Sequence, residues 1–220
     1  MTLVAFDFDG TLSDSEMTVL LGDRCGVADQ MDEITERAMN DEIEYAESLR
    51  KRCALLEGLD NDDATAAFEE VVLRPGAADV IEALNEAGVH TAILTGGFQR
   101  GVEAALEKEG VTVDTIVANR LPVGDSEGEA DDDRRALTGE VEGPLIEGTK
   151  DDALDDLAST QSVPMDETIA VGDGANDLPM LEVAGLAVGF EPKPNVAPAC
   201  EVIVETMDEL ADVLTEEGVL

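Results

Sequence analysis

The chain has 220 residues, of which 52 are acidic and 13 basic, giving a net charge of −39 on a composition that is 44% hydrophobic. That is enough apolar material for one sizeable core with a small accessory domain, and too much for a disordered acidic tail. Charge of this sign excludes a phosphate-neutralising nucleic-acid surface and docking on an anionic membrane, and no apolar run is long enough to span a bilayer.

Residues 2–6 form an apolar run that closes on acids, the pattern of a buried strand. From residue 13 to 72 the spacing is helical and no β-rich run interrupts it; helices are predicted at 16–25, 30–39, 43–56 and 62–72. Arg74-Pro75-Gly76 then punctuates the chain. Beyond it, strands predicted at 91–94, 115–118, 168–171, 186–189 and 202–204 are interspersed with helices at 77–87, 99–109, 150–159, 177–183 and 207–215. Such alternation implies a parallel α/β sheet. The helical block after the first strand reads as a separate small domain, so the expected division is a core of 1–13 and 73–220 with an insert of 14–72. Residues 119–147 resist the scheme and read as a hairpin carrying an acidic loop. Asp131 and Asp133 suggest calcium ligands, but the glycine and terminal glutamate of an EF-hand loop are missing, and a solvated loop is the better reading.

Cys25, Cys53 and Cys200 are odd in number and far apart, which argues against a disulfide framework or zinc site and for a reducing compartment. The start MTLVAFDFDG shows no leader-like segment, and the expected location is cytoplasmic. The negative charge is spread along the chain and lysine is scarce, which reads as a protein of a salt-loaded cell whose self-repulsion is screened there.

Ligands of open α/β sheets bind beyond the carboxyl ends of the strands. The first strand is followed by Asp7, Asp9, Gly10 and Thr11, and the strand at 91–94 by Thr95, Gly96 and Gly97. The strand at 168–171 is followed by Gly172, Asp173, Gly174, Asn176 and Asp177, while Lys150 opens the intervening helix. Carboxylates suit a hard cation, a hydroxyl with approachable amides suits a phosphate, and a lysine adds a point charge for the same anion. No piece is specific alone. Asp-x-Asp occurs three times, at Asp7/Asp9, Asp60/Asp62 and Asp131/Asp133, and only the first follows an apolar strand and precedes Gly-Thr. Thr-Gly-Gly by itself is more often a turn than a phosphate cradle, and Lys150 by itself is more often a helix-surface residue. The order of the four pieces carries the argument.

These motifs resemble those of the haloacid dehalogenase superfamily of phosphohydrolases. The match extends to its phosphoserine phosphatase family through DFDGTLSDSE, EITERAMNDEIEYAESLRKRCALLEGL, ILTGGF, ANRL with LTGEVEG, and AVGDGANDLPML, nearly the whole chain. The resemblance implies a Rossmann-like, doubly wound parallel α/β core with an inserted helical cap, and a magnesium-dependent phosphomonoester hydrolase of serine biosynthesis. It implies that Asp7 is the nucleophile that becomes an aspartyl phosphate, and that Asp9 is general acid and then general base. It places Mg2+ on the side chains of Asp7 and Asp173 and the backbone carbonyl of Asp9, with Asp177 in or just behind the ligand sphere. Lys150, Thr95 and Gly96 are placed at the phosphate, with Asn176 near them. In the cap, Glu16 corresponds to the acid that meets the substrate ammonium and Arg52 to the arginine that meets its carboxylate; Met39 and Tyr45 match pocket positions, Met39 serving equally for core packing.

Three features depart from the family pattern. Gly10 stands where serine is usual, Thr95 replaces a serine, and the acidic stretch 124–135 is longer than the usual hairpin. Two other readings stay open at this point. One is a capped phosphatase or phosphotransferase for a different small phosphomonoester. The other is a non-catalytic phospho-acceptor receiver, disfavoured by the insert and by the second acid, Asp9. The expected partner is a small-molecule substrate and the expected assembly a monomer or homodimer.

Overall fold

The structure is a computed structural model that describes residues 2–39, 42–125 and 135–220. Asp131 and Asp133, most of the acidic stretch 124–135 and the side chain of Met39 lie outside the described residues. The strands are β1 (Leu3–Phe6), β2 (His90–Phe98), β3 (Thr115–Asn119), β4 (Val123–Asp125), β5 (Arg135–Leu137), β6 (Thr168–Gly172), β7 (Leu186–Phe190) and β8 (Val202–Val204). Six of them form a sheet in the order β3-β2-β1-β6-β7-β8, and every pair is parallel. The chain runs outward from β1 in one direction through β2 and β3, and in the other through β6, β7 and β8. The order therefore reverses at β1, which places a crevice at the carboxyl end of the sheet's centre.

β1 is buried along its whole length because it is central and covered on both faces. Its side chains alternate between two clusters, as a period of two demands. Val4 and Phe6 join the larger one, with residues of α5 (Ala77–Glu86), α6 (Gln99–Glu109) and α9 (Met207–Glu216). Leu3 and Ala5 join the smaller one, with Leu154 and Ala158 of α7 (Lys150–Gln161) and Met180 and Leu181 of α8 (Leu178–Val183).

β2 runs longer than the sequence predicts. It continues past Leu94 through Thr95-Gly96-Gly97 to Phe98, and its register with β3 slips between Leu94 and Phe98. The phosphate-cradle candidate is thus an irregular stretch of strand and not a turn after it; two glycines give the backbone the freedom to slip register while it stays paired at either end.

The four predicted insert helices are present as α1 (Met17–Cys25), α2 (Ala28–Met39), α3 (Tyr45–Ala54) and α4 (Asn61–Phe68). The chain enters and leaves them through two crossing segments that hold each other. Ser13 bridges Leu73, the Ser13 hydroxyl donates to the Val72 carbonyl at 2.7 Å, and the Arg74 N–H donates to the Leu12 carbonyl at 2.8 Å. The insert does not own a separate core: Met17, Leu21 and Phe68 belong to the same apolar cluster as Phe6, Phe8 and Phe98. Phe68 meets Phe98 edge-on at 6.2 Å, and Arg100 of α6 lies over Phe68 and reaches Asn61 at 3.1 Å and Thr65 at 2.6 Å. The β4–β5 hairpin adds a further tie, with Leu137 donating to the Leu59 carbonyl at 2.8 Å and Gly58 to the Leu137 carbonyl at 2.9 Å. A helical block of about 60 residues is marginal by itself, and sharing the sheet's core adds to the surface it buries.

A net charge of −39 works against this compact state. The Debye length falls from about 10 Å at 0.1 M salt to about 3 Å at 1 M, so molar salt screens most of that repulsion. The melting temperature is expected to rise by about 10 °C or more between 0.1 and 2 M KCl, the equivalent of roughly 3 kcal/mol for a chain of this size. Equal melting in the two buffers would refute the charge argument.

Candidate active site

Asp7 leaves the end of β1 with its N–H donating to the Val171 carbonyl of β6 at 2.8 Å, so its side chain enters the central crevice. Lys150 meets it there. Lys150, Leu154 and Ala158 form one buried stripe on α7, and the stripe's first position carries the ammonium into the site. A cation at a helix N-terminus is disfavoured by the helix dipole, and here two acids compensate. The Lys150 Nζ donates to Asp7 Oδ1 at 2.6 Å and to Asp177 Oδ1 at 2.5 Å. The second oxygen of Asp177 accepts from the N–H groups of Asp173 at 3.0 Å and Gly174 at 2.8 Å. With both oxygens engaged and no exposed surface, Asp177 shapes the loop and the lysine.

Asp173 faces Asp7 across the crevice. Its carboxylate packs against the backbone of Gly10, and Thr11 Oγ1 lies 3.5 Å from Oδ1. Gly10 has φ +92° and a Cβ there would sit 2.6 Å from Asp173 Oδ1, so in this chain both conformation and space favour glycine. On its outer side Asp173 Oδ2 lies 3.3 Å from Lys193 Nζ. One carboxylate oxygen each from Asp7, Asp173 and Asp177 can be chosen within 4.8 Å of one another. The donor set is all oxygen and three acids face two lysines, so the cluster fits a hard divalent cation.

The Asp9 side chain turns away from that cluster. Its carboxyl lies against Gly97, where a Cβ would come within 2.5 Å of Oδ2, and it accepts from the Met17 N–H at the start of α1. Oδ1 is buried and has no hydrogen-bond partner among the described residues. Burial first, then the charges of Asp7 and Glu16, hold the Asp9 carboxyl well above the usual carboxylate range. Burial and Asp177 push Asp7 up to about 7, against the pull of Lys150. Lys150 itself stays above its ordinary value, because Asp177 and Asp7 outweigh its desolvation. Burial also raises Asp173, with Lys193 opposing. Two neighbouring acids thus differ in kind. Asp7 is paired with an ammonium, whereas Asp9 lies against Gly97 with one oxygen that has no partner among the described residues.

Thr95 is buried, and its Oγ1 accepts from the Gly97 N–H at 2.9 Å. The Gly96 carbonyl accepts from Asn119 Nδ2 at 3.0 Å, which turns the peptide. Tyr45, at the start of α3, crosses from the insert to this stretch, and its hydroxyl stands where a Cβ of Gly96 would be. Arg52 lies one helical face along, half-buried, with Nη1 3.4 Å from Thr18 Oγ1 and a buried Nε that has no partner among the described residues. The charges of Lys150, Arg52, Asp7 and Asp9 all reach the Tyr45 hydroxyl, so the insert and the sheet face one crevice. Glu16 is exposed at the N-cap of α1 and its charge acts on Asp9. Asn176 is exposed on the rim, its Oδ1 folded over Gly174. Sequence reasoning passed over Lys193 and Asn119; Pro192 and Pro194 on either side of the lysine were the available signal.

Comparison with known proteins agrees with this geometry. The haloacid dehalogenase-like hydrolase family matches residues 4–182. A phosphoserine phosphatase of Halobacterium salinarum is 49% identical over 219 residues, covering 100% of both chains. A substrate-bound phosphoserine phosphatase complex superposes with a TM-score of 0.84 at 33% identity, covering 98% of this chain and 97% of the other. A phospho-aspartyl intermediate analogue of phosphoserine phosphatase gives 0.83 at 32% identity, covering 96% and 98%. With a paired Asp7 and Lys150, a buried Asp9 beside them and a cluster of three acids at the switch point of a doubly wound sheet, this chain belongs to the haloacid dehalogenase-like hydrolases and, within them, to the phosphoserine phosphatase family.

Proposed function

We propose that the chain is a magnesium-dependent L-phosphoserine phosphatase that releases serine and phosphate through an aspartyl phosphate on Asp7, completing serine synthesis in the cytoplasm of a salt-loaded cell as a monomer or homodimer. One observation carries the reading: the Asp7–Lys150–Asp177 cluster and the buried Asp9 share a crevice with a cap bearing Glu16 and Arg52. We divide the chain into a core of 1–13 and 73–220 and a cap of 14–72, joined at the Ser13–Leu73 crossing.

Asp7, Asp173, the backbone carbonyl of Asp9 and, directly or from behind, Asp177 would hold Mg2+. When bound, the ion supplies positive charge that lets a carboxylate approach an anionic phosphate. The residues of the chain do the rest. Thr95, Gly96 and Lys150 bind the phosphate oxygens, with Asn176 closing the rim. An Asp7 oxygen forms the new bond to phosphorus while the bond from phosphorus to the serine oxygen breaks, and the Asp9 proton passes to that oxygen. Serine leaves. Asp9, now a carboxylate, takes a proton from water as the water oxygen attacks phosphorus, and the bond from Asp7 to phosphorus breaks to free phosphate. Lys150 stays charged throughout and balances Asp7.

Glu16 and Arg52 select the substrate by its zwitterion, an acid for the ammonium and a planar fork for the carboxylate. The test is phosphate release in molar KCl with Mg2+ from L-phosphoserine, D-phosphoserine, phosphothreonine, phosphoglycolate and p-nitrophenyl phosphate. L-Phosphoserine is expected to dominate. Arg52→Lys and Glu16→Gln are each expected to lower its kcat/KM by roughly 10- to 100-fold, the worth of one charged hydrogen bond, while p-nitrophenyl phosphate, which has neither group, changes little. A preferred substrate without an amine, or an equal loss on both substrates, would remove the clamp.

A further inference from the structure

We infer that Lys193 is a positioning residue that holds the Asp173 carboxylate in its cation-binding orientation. The inference rests on the divalent-cation reading of the Asp7, Asp173 and Asp177 cluster. The chain has only four lysines, and two of them, Lys150 and Lys193, contact that cluster. Lys193 grips Asp173 twice. Its N–H donates to the Asp173 carbonyl at 2.9 Å, and its Nζ lies 3.3 Å from Oδ2.

The backbone of the lysine is fixed, while its side chain is about half exposed. Pro192 and Pro194 restrict the backbone on both sides of it, and its own carbonyl accepts from the N–H groups of Val196 at 2.8 Å and Ala197 at 3.0 Å. Glu191, just before, is one of two non-glycine residues with positive φ among those described, at 42°. Its N–H donates to the Val204 carbonyl at 2.8 Å, and its carboxylate takes Arg74 Nη1 at 2.8 Å. Arg74 stacks on Phe190 at 5.0 Å and donates from Nη2 to the Gly10 carbonyl at 3.2 Å. Gly10 is the residue against which the other side of the Asp173 carboxylate rests. A closed ring therefore runs from Lys193 through Glu191, Arg74 and Gly10 back to Asp173. Within it the carboxylate is backed by Gly10 on one side and tethered by Lys193 on the other. Of the acids in the cluster, Asp177 has both oxygens fixed by hydrogen bonds, whereas the Oδ2 of Asp173 is held by Lys193 and its Oδ1 has only the long 3.5 Å contact with Thr11.

Positioning and simple charge predict opposite signs. A nearby ammonium that only repels cations weakens their binding, so removing it should tighten Mg2+. A tether that orients a ligand strengthens binding, and loss of such a support costs about 10- to 100-fold in affinity. The experiment is calorimetric titration of Mg2+ alone into the full chain, without substrate, in constant molar KCl. The parent, Lys193→Gln and Lys193→Arg are compared, with melting temperatures matched in the same buffer. Lys193→Gln is expected to bind at least about 10-fold more weakly, with Lys193→Arg recovering most of the loss. Unchanged or tighter binding in Lys193→Gln overturns the inference while leaving the cation site intact. Failure of the parent itself to bind Mg2+ instead removes the reading on which the inference rests.

Discussion

Asp7→Asn is expected to abolish phosphate release and, in the same protein, to raise the melting temperature of the metal-free form at pH 8. The two effects have one cause. Asp7 is buried beside Asp173 and Asp177, and its folded-state carboxyl titrates at about 7 against an ordinary 3.8. A group raised in this way contributes stability that is fully present below the unfolded value and is lost as pH rises through the folded one. The window therefore runs from about 3.8 to about 7, and at pH 8 the ionised Asp7 is expected to burden the metal-free fold. Asparagine keeps the shape and removes the charge. Relief of 1–2 kcal/mol corresponds to roughly 2–8 °C for a chain of this size, and at pH 5, where Asp7 already carries its proton, the difference should shrink. Activity should fall by about 10⁴-fold or more, because no other group supplies the attacking oxygen. The checks are a phosphate assay with Mg2+ and thermal melts with chelator at both pH values, all in molar KCl. Activity above about 1% of the parent would remove Asp7 as nucleophile. A lower melting temperature at pH 8 would mean that the Lys150 pair outweighs the repulsion among the acids.

Most of this site is legible in the sequence for a topological reason. Asp7, Thr95 and Asp173 lie far apart in the chain, yet each stands just beyond or within the carboxyl end of a strand, and a parallel sheet gathers those ends on one edge. Lys150 is legible only from its place in the order of the motifs, and the structure supplies the reason it points inward, a buried stripe with Leu154 and Ala158. Local pattern failed where long-range packing decides. The extension of β2 through Thr95-Gly96-Gly97 rests on pairing at Phe98 with Asn119, which glycine-rich spacing conceals. The fusion of the insert with the main core rests on Phe68 meeting Phe98 and on Arg100 reaching across to α4, contacts that no periodicity within the insert encodes. Lys193 looks like an ordinary surface lysine, and only the fold brings it to Asp173. Glu16 is one acid among 52, so neither spacing nor composition could single it out, and the family resemblance alone did so.

Asp9→Asn is expected to separate the two halves of the reaction. Burial and the charges of Asp7 and Glu16 hold the Asp9 carboxyl well above the usual carboxylate range, and its Oδ1 has no partner among the described residues. It is therefore equipped to give a proton to a poor leaving group such as the serine alkoxide. General acid catalysis of this kind is worth about 10²- to 10⁴-fold, and turnover of L-phosphoserine should fall by that much. p-Nitrophenolate leaves without a proton, so the first step on p-nitrophenyl phosphate should survive. Hydrolysis of the aspartyl phosphate still needs a base for water, and asparagine cannot serve. The variant is thus expected to release close to one equivalent of nitrophenolate per enzyme in a rapid burst and then to turn over slowly. Rapid mixing with absorbance detection in molar KCl with Mg2+ reads both phases. Steady turnover without a burst would show that Asp9 does not act in the second step. Equal slowing of the first step on both substrates would show that its contribution is positional and not protonic, since only a proton donor can distinguish an alkoxide from a nitrophenolate.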